Sequence, residues 1–281
     1  TISRSQKEGI TLNELTKKYT VIYLADLLHL NIKVPEHLPR ATEHIGGMVA
    51  IIEKLIREGY AYRTTDGIYF DVSKSNNYGA LAHLDLLAET QSRVESGDKK
   101  NPRDFALWKY WTIEDGDNVY DASFGKGRPG WHIECSAMAM SELGETLDIH
   151  TGGVDLIFPH HTNEIAQSEA VTGKTFSNLW LHNEFVMIDG QKMSKSLNNH
   201  TTLRTVIEHG FLPLAFRYWV LGTHYRAKAN FTWEALEGAQ IALRKLSDHI
   251  GENIGTIDKI YRSHFEEIIS NDLDTPRALA L

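Results

Sequence analysis

The 281-residue sequence is 42% hydrophobic and 23% charged, an ordinary balance for a globular chain that can bury a sizeable core. No apolar run approaches the roughly 20 residues needed to cross a bilayer, and the opening Thr1-Ile2-Ser3-Arg4 lacks an apolar signal core, so a cytoplasmic location is expected. A net charge of −8 argues against wholesale coating of nucleic acid, and the single cysteine, Cys135, excludes an internal disulfide framework.

In chain order, Thr11-Leu12-Asn13-Glu14 is a capping-box pattern followed by Leu15, Tyr19, Ile22 and Tyr23 at helical spacing, which predicts a helix over 12–29. After a loop holding Pro35 and Pro39, the stripe Ile45, Met48, Val49, Ile52, Leu55 and Ile56 predicts a second helix ending at Gly59. Residues 60–63 and 68–72 flank Thr65-Asp66-Gly67, a hairpin signal, and 73–101 is polar, charged and expected to be irregular. From about Arg128 the texture becomes α/β: a turn over 127–130, a helix over 133–143, a strand over 146–150 closed by Gly152-Gly153, and a helix opened by Pro159 and ended by Gly173. Strands near Leu179 and Phe185 then lead through the tight turn Asp189-Gly190 into Lys192-Met193-Ser194-Lys195-Ser196. A helical pattern runs from Thr201 through Leu246 and again over 257–269, and the aspartate-rich stretch 271–276 starts one more helix. There is no internal repeat. A first residue other than Met and an ending in mid-pattern suggest a piece of a longer protein.

Two groups of residues carry chemistry. Lys192 and Lys195 are flexible cations on a small serine-bearing loop, with Ser194 and Ser196 as hydrogen-bonding supports, an arrangement suited to gripping a leaving pyrophosphate. His160 and Glu164 stand four apart on one helix face, and Cys135 opens another helix of the same unit, so thiolate, imidazole and carboxylate together suit Zn²⁺. Taken singly these have plainer readings, a solvated loop, a core cysteine and a helix-surface pair. Three protein ligands can leave an open position for substrate, and four-ligand sites can also expand.

The lysine run after its hairpin resembles the signature loop of class I aminoacyl-tRNA synthetases. The segments Gly127-Arg128-Pro129-Gly130-Trp131-His132-Ile133-Glu134-Cys135-Ser136-Ala137-Met138 and Gly152-Gly153-Val154-Asp155-Leu156-Ile157-Phe158-Pro159-His160-His161-Thr162-Asn163-Glu164 are similar to those of the cysteinyl-tRNA synthetase family. Arg93-Val94, the 104–109 stretch Asp104-Phe105-Ala106-Leu107-Trp108-Lys109, His224-Tyr225-Arg226 and Asn230-Phe231-Thr232 extend the likeness over nearly the whole chain.

The resemblance implies the second half of a Rossmann-type catalytic domain with an inserted α+β connective subdomain and a C-terminal helical region. The expected divisions are 1–42 (end of the first Rossmann half), 43–125 (insertion), 126–200 (second half with metal ligands and lysine loop), 201–250 (helical stem-contact region) and 251–281 (start of an anticodon-binding domain). It implies ATP-dependent activation of L-cysteine, with Mg²⁺ accompanying ATP, and transfer to tRNA(Cys) by a monomer. Cys135, His160 and Glu164 would hold Zn²⁺ with a second cysteine from a segment absent here, which would also carry the family's His-Ile-Gly-His signature. His44-Ile45-Gly46-Gly47 comes too late for that signature and is read as a helix start.

Lys192 and Lys195 would stabilise phosphate charge, Gly152, Gly153 and Asp155 would approach adenosine, and Trp131, His132, His161 and also His150 would line the amino acid pocket. RNA contact is expected among Arg204, Arg217, His224, Tyr225, Arg226, Lys228, Arg244 and Lys245. Rival readings are a ligase joining cysteine to an amino sugar with the same site, a zinc hydrolase, and a non-catalytic RNA-binding fragment.

Overall fold

A computed structural model describes residues 2–84, 98–193, 199–250, 255 and 258–281. It divides into two compact units, one of 1–17 with 35–181 and one of 18–34 with 182–281.

The chain opens with α1 (Ile2–Glu8) and α2 (Leu12–His29). The capping box at the start of α2 is made as the sequence predicts: Thr11 N donates to Glu14 Oε2 at 2.8 Å and Glu14 N to Thr11 Oγ1 at 3.2 Å. Of the stripe read as its apolar face only Leu15 is buried; Tyr19, Ile22 and Tyr23 are 37–54% exposed.

In the first unit, α3 (Ile45–Arg57) begins directly after His44, and its Met48, Ile52 and Leu55 are fully buried, as the 3.6-residue stripe requires. An antiparallel sheet follows in the order β1 (Ala61–Arg63), β2 (Gly67–Phe70), β3 (Phe105–Tyr110) and β4 (Gly127–Pro129). The β1–β2 hairpin matches the sequence reading. The segment 127–130, expected as a turn, instead supplies β4, because its backbone pairs with Trp108–Tyr110 of the neighbouring strand. In the described parts of 73–101 only single 3₁₀ turns occur, and Arg93-Val94 lies outside the described residues.

The core of this unit packs α3, β2 and β3 against α4 (Trp131–Leu143), through Ile68, Phe70, Leu107, Trp108, Ile133 and Ala137. Strand β5 (Leu147–Gly153) runs three residues beyond the expected 146–150, through Gly152-Gly153, and leads into the single turn α5 (Val154–Leu156). Phe158 is extended (φ −134°, ψ 129°) and joined to Pro159 by a cis peptide, and Pro159 takes the first helical position after this break, as the sequence predicts, in a turn that runs on into α6 (Thr162–Thr172). Gly173 ends it in the left-handed conformation (φ 68°), and Lys54 Nζ reaches back from α3 to the Val171 carbonyl at 2.6 Å. β6 (Ser177–Asn183) pairs with β5.

In the second unit, β7 (Val186–Ile188) turns at Asp189-Gly190 into β8 (Gln191–Lys192). Both turn residues have positive φ, 49° and 74°, the tight-hairpin geometry that an Asp-Gly pair signals. The helical run expected over 201–246 is broken: α7 (Leu203–Glu208) and α8 (Pro213–Leu221) are followed by β9 (Ala229–Phe231), which pairs parallel with β7, and only then by α9 (Trp233–Ile250). The long-range backbone bonds of β9 override the local helical spacing. Ile188, Val206, Ala215, Phe231 and Leu236 form the core. Helices α10 (Lys259–Ser270) and α11 (Thr275–Ala278) close the chain, the first capped by Asp258 and the second by Asp274.

A Cβ at Gly130 would stand 1.9 Å from the Ala106 carbonyl oxygen, so α4 can start where it does only with glycine before it. Gly47, inside α3, has nothing within 4 Å. Gly130→Ala is therefore expected to destabilise the chain by about 1–3 kcal/mol or more, whereas Gly47→Ala should stabilise it by up to about 1 kcal/mol through helix propensity; thermal denaturation of the two variants, expected to move Tm in opposite directions, checks both.

Candidate metal centre and phosphate loop

The first turn of α4 carries Trp131, His132 and Cys135, while the extended Phe158 and the start of α6 bring in His160, His161 and Glu164. Ligand atoms of Cys135, His160 and Glu164, the three residues the sequence singles out, lie within 4.8 Å of one another. A second set, His150, His161 and Glu164, meets the same limit, so Glu164 belongs to both.

The Glu164 side chain is fully buried. Its Oε1 lies 2.7 Å from His160 Nε2 and its Oε2 3.2 Å from His150 Nε2. Neither oxygen has a partner in hydrogen-bonding geometry. A buried carboxylate with both oxygens unsatisfied is costly unless a positive charge completes its surroundings. Sulfur, imidazole and carboxylate donors converging on it fit Zn²⁺.

Burial, reinforced by Glu164 and Glu134, pushes the Cys135 thiol up to about 12. Burial, with His160 beside it, brings His132 down to about 3, so His132 is neutral near pH 7. The two Nδ1 atoms of His132 and His160 are 2.9 Å apart, and one ring donates to the other. Burial also raises Glu134, and it lowers His150 despite the nearby Glu164. Trp131 is 55% exposed, with its ring 4.6 Å from that of His160 and 5.3 Å from that of His132.

Residues that the sequence reading did not single out hold this arrangement. Gln167 Nε2 donates to the His132 carbonyl and to Ser136 Oγ, both at 2.6 Å, and Ser168 Oγ donates to Ser136 Oγ at 2.8 Å. Tyr78 OH donates to Asn163 Oδ1 at 2.7 Å. The available signal was the run of polar residues on α6 (Asn163, Glu164, Gln167, Ser168), which a surface helix would leave in water and which here is buried. Gly152 has a packing reason: a Cβ there would lie 2.7 Å from His161 Cε1. Asp155 is exposed just after β5.

In the second unit, Lys192 ends β8 with its ammonium 4.4 Å from the centre of the Phe185 ring. Asn199 Nδ2 donates to the Lys192 carbonyl at 3.2 Å, and Gly190 N donates to Asn230 Oδ1 at 2.6 Å, so β9 supports the turn before the loop. Ser194, Lys195 and Ser196 lie outside the described residues.

Several cations expected at RNA have partners within the chain. Arg217 Nη1 donates to the carbonyls of Leu30 and Asn31 at 2.9 and 2.6 Å, and Arg204 pairs with Glu208 at 2.8 Å. Arg226 makes a two-bond contact to Asp272 at 2.6 and 3.0 Å, joined by Tyr225 OH at 2.5 Å, with His224 3.8 Å away. Lys228, Arg244 and Lys245 are exposed.

Residues 1–241 match the family model described as the class I (C) tRNA synthetase catalytic domain. The chain is 43% identical over 300 residues to a cysteine–tRNA ligase of Brachyspira hyodysenteriae and 45% identical over 298 residues to one of Chlamydia pneumoniae. Each match covers all of this chain and 63% of the relative, so the chain spans under two thirds of those proteins. Against one of Caldicellulosiruptor saccharolyticus it is 49% identical over 249 residues, covering 87% of this chain and 52% of the relative. Among solved structures, Mycobacterium tuberculosis methionyl-tRNA synthetase in complex with methionyl-adenylate aligns with a TM-score of 0.66 at 15% identity, over 98% of this chain and 70% of that one. That likeness is one of fold, and it agrees with the α/β Rossmann-type class expected from the sequence. By the family model over 1–241, the chain belongs to the class I (C) tRNA synthetase catalytic domains.

Proposed function

We propose that the chain forms the cysteine-reading and phosphate-gripping part of a ligase that activates L-cysteine with ATP and transfers it to tRNA(Cys). The reading rests on the convergence of Cys135, His160 and Glu164 around a buried carboxylate that lacks hydrogen bonds. Its curated relatives carry the name of that activity. In the first step a cysteine carboxylate oxygen would attack the α-phosphorus of ATP, and the bond to the β-phosphate oxygen breaks to release pyrophosphate. In the second, a terminal ribose hydroxyl attacks the carbonyl carbon and AMP leaves with the bonding electron pair. Neither step needs a protein nucleophile, so positioning and charge stabilisation carry the chemistry.

Zn²⁺ held by Cys135, His160 and Glu164, with a further cysteine expected from upstream, would supply affinity for a thiolate that the hydroxyl of serine cannot match. Apolar pockets separate near-isosteres by only about 1–3 kcal/mol, so donor chemistry of this kind removes the need for an editing site. His160 is oriented by His132 through the ring–ring hydrogen bond, and Trp131 covers His160 with an exposed aromatic face that can wall off a small side chain. His161 packs under Gly152 and fixes the end of β5, from which Gly153 and Asp155 would approach adenosine and its ribose. Lys192 and Lys195, with Ser194 and Ser196, would hold the phosphates of Mg²⁺-ATP. The hydrolase reading leaves the lysine hairpin without a role. The amino-sugar ligase differs only in its acceptor, and we further expect a cytoplasmic monomer.

Metal analysis tests the site itself. The protein dialysed against Zn²⁺ should retain about one equivalent, and Cys135→Ser, His160→Ala and Glu164→Gln should each lower it with melting behaviour otherwise preserved; full retention in all three would refute the ligand set. In the full-length protein, Lys192→Ala and Lys195→Ala should depress cysteine-dependent ATP–pyrophosphate exchange by about 100-fold or more each and leave bound zinc unchanged. Exchange at wild-type rates would remove the lysines' role, and charging of an amino sugar in place of tRNA would select the rival ligase.

A further inference from the structure

Two successive residues in the turn between α10 and α11, Asp272 and Leu273, lie in the left-handed region with φ of 55° and 56°. Neither is glycine, and Leu273 is 47% exposed, so its burial does not hold the turn. Such backbone persists where surrounding groups over-determine it. The groups here come from the connection between α8 and β9. Arg226 donates twice to the Asp272 carboxylate, at 2.6 and 3.0 Å, Tyr225 OH donates at 2.5 Å, and His224 Nε2 lies 3.8 Å away.

A single exposed ion pair contributes little, but a two-bond guanidinium and a phenol on one carboxylate form a network. Hydrogen bonds from Arg226 and then Tyr225 hold the Asp272 carboxyl down to about 2, so it is charged near pH 7. The same connection reaches the lysine hairpin. Glu184 N donates to the Tyr225 carbonyl at 2.8 Å and Ala229 N to the Phe185 carbonyl at 3.2 Å, so the chain is bonded to this segment both just before Phe185 and at it. The Phe185 ring in turn bears the Lys192 ammonium, 4.4 Å from its centre. Further along the hairpin, Asp189 N donates to the Phe231 carbonyl at 3.1 Å and Gly190 N to Asn230 Oδ1 at 2.6 Å.

Asp272, the pair Tyr225 and Arg226, Phe185 and Lys192 thus form an unbroken series of contacts within the second unit. Lys192 is a point charge on a flexible stem, and the ring beneath it restricts where that charge sits. We propose that Asp272 is a positioning residue for Lys192: through Arg226 and Tyr225 it fixes the segment that holds Phe185, and with it the place of the ammonium that meets the phosphates of ATP. The assignment rests on the ligase reading above. It gives the turn between α10 and α11 a part in the first chemical step, before any RNA is bound.

The test is cysteine-dependent ATP–pyrophosphate exchange by the full-length protein without RNA, so that a loss cannot come from an RNA contact of Arg226. Asp272→Asn keeps a residue that tolerates the left-handed turn and removes the charged acceptor. It should lower kcat about tenfold, as misplacement of a charge-stabilising group does, while KM for cysteine, bound zinc and Tm stay at the parent's values. Arg226→Gln should act alike, and the double variant should be no slower than either alone. Arg262→Gln, which breaks a comparable exposed ion pair, to Glu266 at 2.8 Å within α10, should leave kcat unchanged. Amide hydrogen exchange over 184–192 should quicken in Asp272→Asn and not in Arg262→Gln. Parental kcat in Asp272→Asn, additive losses in the double variant, an equal loss in Arg262→Gln, or unchanged amide protection over 184–192 would each overturn the proposal. The unaltered protein separates the two readings: if it shows no cysteine-dependent exchange the ligase reading is removed, while the amide measurement decides the link from Asp272 to the hairpin by itself.

Discussion

Burial of the Glu164 carboxylate, without a hydrogen bond to either oxygen, is the constraint around which the first unit is built. Taking a charged carboxylate out of water costs on the order of several kcal/mol even after relaxation, and the imidazoles of His160 and His150 at 2.7 and 3.2 Å offset it only if positive charge is available. His132 cannot supply that charge near neutral pH, because burial holds it neutral down to about pH 3. The Cys135 thiol, raised by the same burial, supplies none either. Sulfur and imidazole donors gathered on a buried carboxylate form a set that a cation completes, which is the physical sense in which these residues fit a metal.

That constraint explains why the helices carrying the site are also core helices. Ile133 and Ala137 of α4 face the sheet, while His132 and Cys135, one residue before and two before those positions, face the donor cluster. Gln167 and Ser168 extend the polar side of α6 to Ser136 and the His132 carbonyl, so two helices that could otherwise slide are held in register by directional bonds. The close fit of His161 over Gly152 adds a third restraint, from β5. The relative positions of the donor residues are thereby fixed by the packing of the fold itself.

The parts legible in the sequence were those governed by local rules. The Thr11–Glu14 capping box, the α3 stripe and the Asp189-Gly190 turn all formed as their patterns require. The Cys135, His160 and Glu164 set was legible by donor chemistry, although its spacing gave no hint that Glu164 would also face His150 and His161. Non-local pairing was not legible. β9 is three residues long between helical patterns and exists because β7 offers it a parallel partner, and 127–129 becomes a strand only beside β3. Pro159 was legible for a local reason: its fixed φ suits the first helical position, which it takes after the extended Phe158. The exposed side of α2 shows the converse, a helical stripe of apolar residues of which only Leu15 is buried.

Charge bears on how such a chain could engage RNA. With a net charge of −8 the molecule repels a polyanion at long range, so attraction has to be local. Basic residues in sequence proximity overstate the supply: Arg204, Arg217 and Arg226 are engaged by Glu208, by two backbone carbonyls and by Asp272. The Arg226–Asp272 contact, joined by Tyr225, ties the connection between α8 and β9 to the turn between α10 and α11, a structural duty that RNA could compete for only by breaking it. Lys228, Arg244 and Lys245 stay exposed, and any attraction they offered a polyanion would be a screened surface one, of the kind that positions a backbone without reading bases.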